Sequence, residues 1–292
     1  MKILVACALP DFALERLRTL GSEVGYEPDL RSEQFREAIT GVGILIVDAK
    51  RVSPEVIARG DMLQMIVRAG PGPGDIALET ASAQGIFVSH CPDQHAIAVA
   101  ELTIGLMIAL DRGIVENTNA LHEQRWIRHE FGDAKGLYGR TLGILGFNSI
   151  GQRVAERAVA LGMQVAVWCP VAASDTPTCG NLRFVNGPRE LARQSDIVAV
   201  QPLEECGEHQ ALVDTEFLEN MRPGAALVHV GHPTVLEEAA LAEAVKQRGL
   251  RVALDVFGSQ PTGDAGRFRC KLAGLPGVIG TQHLGPLTEQ AR

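Results

Sequence analysis

Residues Thr141–Gly151 read T-L-G-I-L-G-F-N-S-I-G. The apolar run Leu142, Ile144 and Leu145 meets Gly146, and Ile150, Val154, Ala155 and Ala158 then recur at helical spacing. A buried strand, a tight glycine turn and an amphipathic helix, in that order, form the unit that seats a dinucleotide pyrophosphate on a helix N-terminus. Asn148 stands where the G-x-G-x-x-G pattern has its middle glycine, and the next strand, V-A-V-W-C-P (165–170), ends without an acid. The stretch predicts a nucleotide-binding scaffold with an altered phosphate cradle.

The same alternation extends in both directions. Strands are expected at Ile3–Ala6, Ile44–Val47, Met65–Arg68, Phe87–Ser89, Leu142–Leu145, Val165–Trp168, Ile197–Val200, Ala226–His229, Val252–Asp255 and Val278–Thr281. Helices are expected at Phe12–Leu20, Leu78–Gln84, Leu236–Arg248 and Ile97–Leu110, the last continuing past Leu121. Apolar strands separated by amphipathic helices indicate an α/β fold with parallel sheets covered on both faces. Glycine-rich punctuation around Gly70–Gly74 and Gly146–Gly151 suggests two such units, with a hinge near residue 97. Residues 170–187 read as a surface loop.

The 292 residues suffice for two domains, and 46% hydrophobic with 4% aromatic residues suits layers rich in Ala, Val, Leu and Ile. A formal charge of −8 argues against nucleic acid or an anionic membrane as partner, since both demand a basic surface. Six scattered cysteines without a C-x-x-C pair read as reduced thiols. Met1-Lys2 leads directly into a strand, and no apolar run is long enough to span a bilayer. A cytoplasmic protein is expected.

Several strings together resemble the D-2-hydroxyacid dehydrogenase family, in particular its phosphoglycerate-dehydrogenase-like branch. They are VRAGPG (67–72), AVAELTIGLMIAL (98–110), LYGRTLGILGFNSIG (137–151), MRPGAALV (221–228), LEEAALAEAV (236–245), ALDVF (253–257) and QHLG (282–285). The resemblance implies a Rossmann-like, doubly wound cofactor domain over 97–280. It is inserted in a smaller flavodoxin-like α/β substrate domain made of 1–96 plus 281–292. It further implies a cleft between the domains and a homodimer joined through the long helix and the arm 117–138, and chains of the family run one further helix past the histidine strand. Trp126 and Phe131 of that arm are expected to pack across the interface.

In the resembled family an arginine, a glutamate and a histidine carry the chemistry. Reducing a 2-oxo acid needs a cation for its carboxylate and carbonyl, an acid/base for the alcohol proton, and a carboxylate to orient that base. His283, in QHLG, matches the histidine. The arginine position falls on His232, which lacks the guanidinium's bidentate fork, and Pro233 after it removes a backbone N–H. Losing one such charge-assisted contact costs on the order of 2–5 kcal/mol of transition-state binding, roughly thirtyfold to several thousandfold in rate. The glutamate position falls on Gln260, which can hydrogen-bond a histidine but brings no charge; formate dehydrogenases of the superfamily also carry glutamine before proline there.

The substrate carboxylate is expected at the turn Gly70, Pro71, Gly72, Pro73 and Gly74, where two prolines delete two donors from an anion nest. His90 borders the same expected cleft. For the cofactor, Gly146, Ser149, Ile150 and Gly151 keep the turn and helix start. Asn148 brings a side chain to the pyrophosphate and can cap the helix itself. Cys169 takes the place of the acid that meets the adenosine ribose, and the nearest acid is Asp175. No Arg or Lys lies in 169–178 to take a 2′-phosphate, so NAD is the expected cofactor, bound weakly or not at all. Arg68, Glu101 and Asp255 read as framework.

The expected function is an NAD(P)-type oxidoreductase scaffold acting on a small 2-oxo or 2-hydroxy acid with an impaired catalytic set. The alternatives are a catalytically silent regulatory or structural homologue and a repurposed non-redox enzyme. The last, if metal-assisted, would draw Zn²⁺ ligands from His90, Cys91, His95, His232 and His283.

Overall fold

Why the first ninety-five residues make a sheet is visible in their alternation of β-branched runs and short amphipathic stretches. The structure is a computed structural model, describing residues 1–20, 23–48, 50–70, 72, 74–91, 95–170, 182–202, 211–261 and 265–291. The chain forms two units, Met1–His95 with Glu289–Arg292, and Ala96–Thr288.

The first unit contains β1 (Lys2–Val5), α1 (Asp11–Thr19), β2 (Glu23–Tyr26), α2 (Phe35–Ala38), β3 (Val42–Val47), α3 (Pro54–Arg59), β4 (Met65–Arg68), α4 (Leu78–Ala83) and β5 (Phe87–His90). All strand pairs are parallel, in the order β2-β1-β3-β4-β5, which is the flavodoxin-like winding. One face buries Leu4, Leu45, Val47 and Ile66 against Phe35, Ile39, Ile57 and Ala81. The other packs Ile3, Val5 and Ile46 on Leu14 of α1.

The second unit opens with α5 (Ala96–Arg112) and α6 (Ile114–His122). There follow β6 (Thr141–Leu145), α7 (Ser149–Ala160), β7 (Gln164–Trp168), β8 (Leu182–Phe184), α8 (Pro188–Gln194) and β9 (Ile197–Val200). The remainder is α9 (Thr215–Asn220), β10 (Ala226–His229), α10 (Glu238–Arg248), β11 (Arg251–Leu254) and β12 (Val278–Gly280). The parallel order β12-β11-β10-β9-β6-β7-β8 is doubly wound, and the winding reverses between β6 and β9. Side chains alternate across the sheet. Leu145, Val198, Leu227 and Val252 join α8, α9 and α10 on one face, while Ile144, Ala199, Val228 and Ala253 join α5 and α7 on the other. The α/β, Rossmann-like expectation holds.

Three local expectations change. The long helix is interrupted at Gly113, which adopts φ +58°, so it is two helices. The short edge strands β2 (E-V-G-Y) and β8 (L-R-F) escape a reading based on apolar runs, because each is only partly buried, and β8 falls inside the stretch read as loop. Residues 281–288 pack with the second unit instead of the first. Backbone N–H groups of His283, Leu284 and Gly285 all end on Asp255, just past β11, and the return to the first unit begins at Glu289.

Candidate functional site

The phosphate cradle sits where β6 turns into α7. Gly146 adopts φ +98°, and a Cβ on Gly151 would lie 2.5 Å from the Gly146 carbonyl oxygen, so the tight strand-to-helix approach needs glycine at both positions. Asn148 is the N-cap of α7: its Oδ1 accepts from the backbone N–H of Ile150 and of Gly151, each at 3.1 Å. Its Nδ2 donates to the Pro202 carbonyl at 3.2 Å, tying the helix start to the chain just past β9, across the point where the winding reverses. A pyrophosphate seated on this helix would need the N–H groups that Asn148 already occupies. Asn148 thus caps two of the N–H groups at the helix start, while Gly146 and Gly151 keep the tight turn. Ser149 and Ile150 are half-buried in the first turn. Cys169, half-buried after β7, offers no carboxylate to a ribose, and Asp175 lies outside the described residues.

Three neighbouring strands carry at their carboxyl ends the residues expected at the reaction centre. After β10, His232 caps the short 3-10 turn Pro233–Val235; its Nδ1 lies 3.4 Å from the Thr234 N–H and 2.8 Å from the Thr234 hydroxyl. After β11, Gln260 accepts from the Phe257 N–H through Oε1 at 3.2 Å and places Nε2 3.3 Å from Nδ1 of His283. After β12, His283 is exposed and adopts φ +54°, a left-handed backbone unusual for a residue with a side chain.

Asp255 imposes that conformation. Its carbonyl accepts from the His283 N–H at 2.8 Å. Its buried carboxylate accepts from the Thr281 hydroxyl at 2.6 Å and from the N–H groups of Leu284 at 2.7 Å and Gly285 at 2.9 Å. Read from the sequence as framework, Asp255 is the anchor of the histidine loop. A second surprise is His229, the last residue of β10, fully buried with no hydrogen-bond partner for either ring nitrogen among the described residues. Burial, with His232 nearby as the lesser cause, pushes its pKa down to about 3. The only sequence signal was a polar residue closing an apolar strand.

In the first unit, Gly70 and Gly72 form the turn after β4, while Pro71 lies outside the described residues. The turn holds a cation that the sequence reading took as framework. Arg68 donates from Nη1 to the Gly72 carbonyl at 2.9 Å and from Nε to the Asp48 carbonyl at 3.3 Å. His95 has its pKa lowered by burial first and by Arg68 second, and its buried Nδ1 lacks a partner among the described residues. His90, paired in register with Arg68, is exposed at the end of β5. Among the described residues no three His, Cys, Asp or Glu side chains gather as a metal site, so the metal-assisted alternative gains no support from geometry. No helix among the described residues is long and apolar enough to cross a membrane.

The structure therefore joins Gln260 to His283, sets His232 on the neighbouring strand's loop, and places Gly70, Gly72 and His90 in the other unit. The arrangement offers imidazole donors and backbone turns, with no guanidinium at the position of His232.

Comparison with known proteins agrees with the fold. Residues 104–285 match the family described as D-isomer specific 2-hydroxyacid dehydrogenase, NAD binding domain. The chain is 35% identical over 295 residues to D-3-phosphoglycerate dehydrogenase of Methanocaldococcus jannaschii, covering 100% of this chain and 55% of that protein. It is 34% identical over 267 residues to hydroxypyruvate reductase of Thermotoga maritima, covering 90% of this chain and 84% of the relative. The chain thus spans about half the length of the phosphoglycerate dehydrogenases it matches. A Thermus thermophilus protein of known structure superposes with a TM-score of 0.84 at 31% identity, covering 100% of this chain and 92% of that one. With the family match over more than half its length and a winding that agrees, this chain is a member of the D-2-hydroxyacid dehydrogenase family, in its phosphoglycerate-dehydrogenase-like branch.

Proposed function

We propose that this protein binds a small 2-oxo or 2-hydroxy acid on a dehydrogenase scaffold and has lost efficient NAD-dependent hydride transfer. The observation that carries this reading is Asn148 occupying the N–H groups at the start of α7. His232 and Gln260 support it, because neither supplies the permanent charge that oxo-acid reduction draws on. In this reading the first unit is the substrate domain, and Gly70, Pro71, Gly72 and His90 are its substrate-binding residues. His283, His232 and Gln260 are the catalytic set, and Gly146, Asn148, Ser149, Ile150, Gly151 and Cys169 border a weak or closed nucleotide site.

The same reading places the protein in the cytoplasm, in keeping with free thiols at Cys7, Cys91, Cys169 and Cys270, and makes it a homodimer. Exposed Ile114, Val115, Leu121, Trp126 and Tyr138 along α6 and the following arm support a partner copy there. Calorimetric titration with NADH, NAD and NADPH tests the central claim, together with rates on a panel of 2-oxo acids. The expected result is binding no tighter than millimolar and turnover at least a hundredfold below active relatives. Tightly held NAD and ordinary rates that vanish in His283→Ala would overturn it.

A further inference from the structure

The protons of two imidazoles in the second unit are assigned by backbone chemistry. A backbone N–H only donates, so the Gln260 oxygen is the end that faces Phe257 N. The NH₂ end is thereby turned to His283 Nδ1, and an NH₂ also only donates. Nδ1 must then carry the lone pair, and the single proton of the neutral ring sits on Nε2. His232 repeats the pattern with a different partner: the Thr234 N–H points at its Nδ1 at 3.4 Å and the Thr234 hydroxyl, 2.8 Å away, can donate to the same nitrogen, which again leaves the proton on Nε2. Neither ring position is accidental. The His283 backbone is pinned by Asp255, and His232 is held as the cap of its own turn.

We infer that Gln260 is a positioning residue that selects Nε2 as the proton-bearing nitrogen of the neutral His283 ring, so that the carboxyl edge of this sheet presents N–H donors, from His283 and His232, to a small ligand rich in acceptors such as a 2-oxo carboxylate. A glutamate at 260 acts in the opposite sense. One oxygen accepts from Phe257 N–H and the other from an Nδ1–H, which frees the Nε2 lone pair to take a proton. Glutamine converts that base into a donor. This inference deepens the proposed function and rests on it for the ligand class, while the tautomer follows from Phe257, Gln260 and His283 alone.

The test is two-bond ¹H–¹⁵N correlation spectroscopy on the full chain labelled at histidine, at mildly alkaline pH, with signals assigned by their loss in His283→Gln and His232→Gln. The protonated-nitrogen signature is expected on Nε2 of His283 in the parent and on Nδ1 in Gln260→Glu. In Gln260→Ala, with the amide gone, the two tautomers should mix, a change that a purely structural role would not produce. Pyruvate added to the parent should move the Nε2–H signals of both histidines. An Nδ1–H or mixed tautomer in the parent overturns the inference, as does an unchanged tautomer in both variants; an absent pyruvate response overturns its ligand half. Hydride-transfer rates are read separately, so failure of the functional reading leaves a distinct signature.

Discussion

Asn148 does with one carboxamide what a bound phosphate does at such a helix start: it satisfies the leading N–H groups and holds the neighbouring strand end, here through Pro202. Because the cap is a side chain, removing it should reopen the cradle at small expense to the fold. Asn148→Gly is expected to cost only a few tenths of a kcal/mol and to strengthen NADH binding at least tenfold, read by calorimetry beside a thermal melt. Unchanged affinity would show that the closure lies elsewhere. Asp255 is the opposite kind of residue. Replacing it with asparagine puts an NH₂ against groups that themselves donate, leaving buried donors unpaired at about 1–3 kcal/mol. Asp255→Asn should therefore lower the urea midpoint and disorder the His283 loop, visible as loss of amide protection at Leu284 and Gly285. Asn148 as a cap was readable from the sequence because it is local. The role of Asp255 was not, since its partners lie about thirty residues downstream.

Among the elements, α5 shows how a buried charge is used. Asp111, near its end, is almost fully buried, accepts from Arg140 at 2.7 Å and from the Gly136 N–H at 2.9 Å, and lies 3.7 Å from Arg251. It thereby joins the long helix, the arm before β6 and the first residue of β11. Asp111→Ala leaves Arg140 mostly buried without its counter-charge, a loss on the order of 3 kcal/mol, to be measured by urea unfolding. Values near zero would mean the arm re-pairs. Periodicity located α5, α7 and α10 because each has an apolar side that survives in sequence order. The break at Gly113 and the strands β2 and β8 were missed. A single glycine conformation and half-buried edges leave no periodic trace.

For the whole molecule, His229 links stability to pH. Its ordinary pKa of 6.5 falls to about 3 on folding because the buried ring cannot be charged. The unfolded chain thus takes up a proton that the folded one refuses, and stability falls as pH drops below 6.5. The loss approaches 1.4 kcal/mol per pH unit, about 2 kcal/mol by pH 5. His229→Leu should flatten that limb in urea titrations between pH 7 and pH 5, and parallel slopes would refute the assignment. The proposed homodimer belongs to this scale too. Trp126→Ser, at a side chain 81% exposed in one copy, should shift sedimentation toward the monomer without altering the helical signal.

Sequence alone determined the doubly wound α/β architecture and the family, and pointed to His232, Gln260 and Asn148 as departures from the family pattern, because apolar periodicity, glycine turns and long ordered strings are properties of neighbours along the chain. Only the tertiary structure decided that Asn148 turns its amide onto its own helix, that Phe257 sets which end of Gln260 meets His283, and that Asp255 and the buried His229 govern the loops around them. Those outcomes depend on hydrogen-bond directions between strand ends that are adjacent in the sheet and distant in the chain.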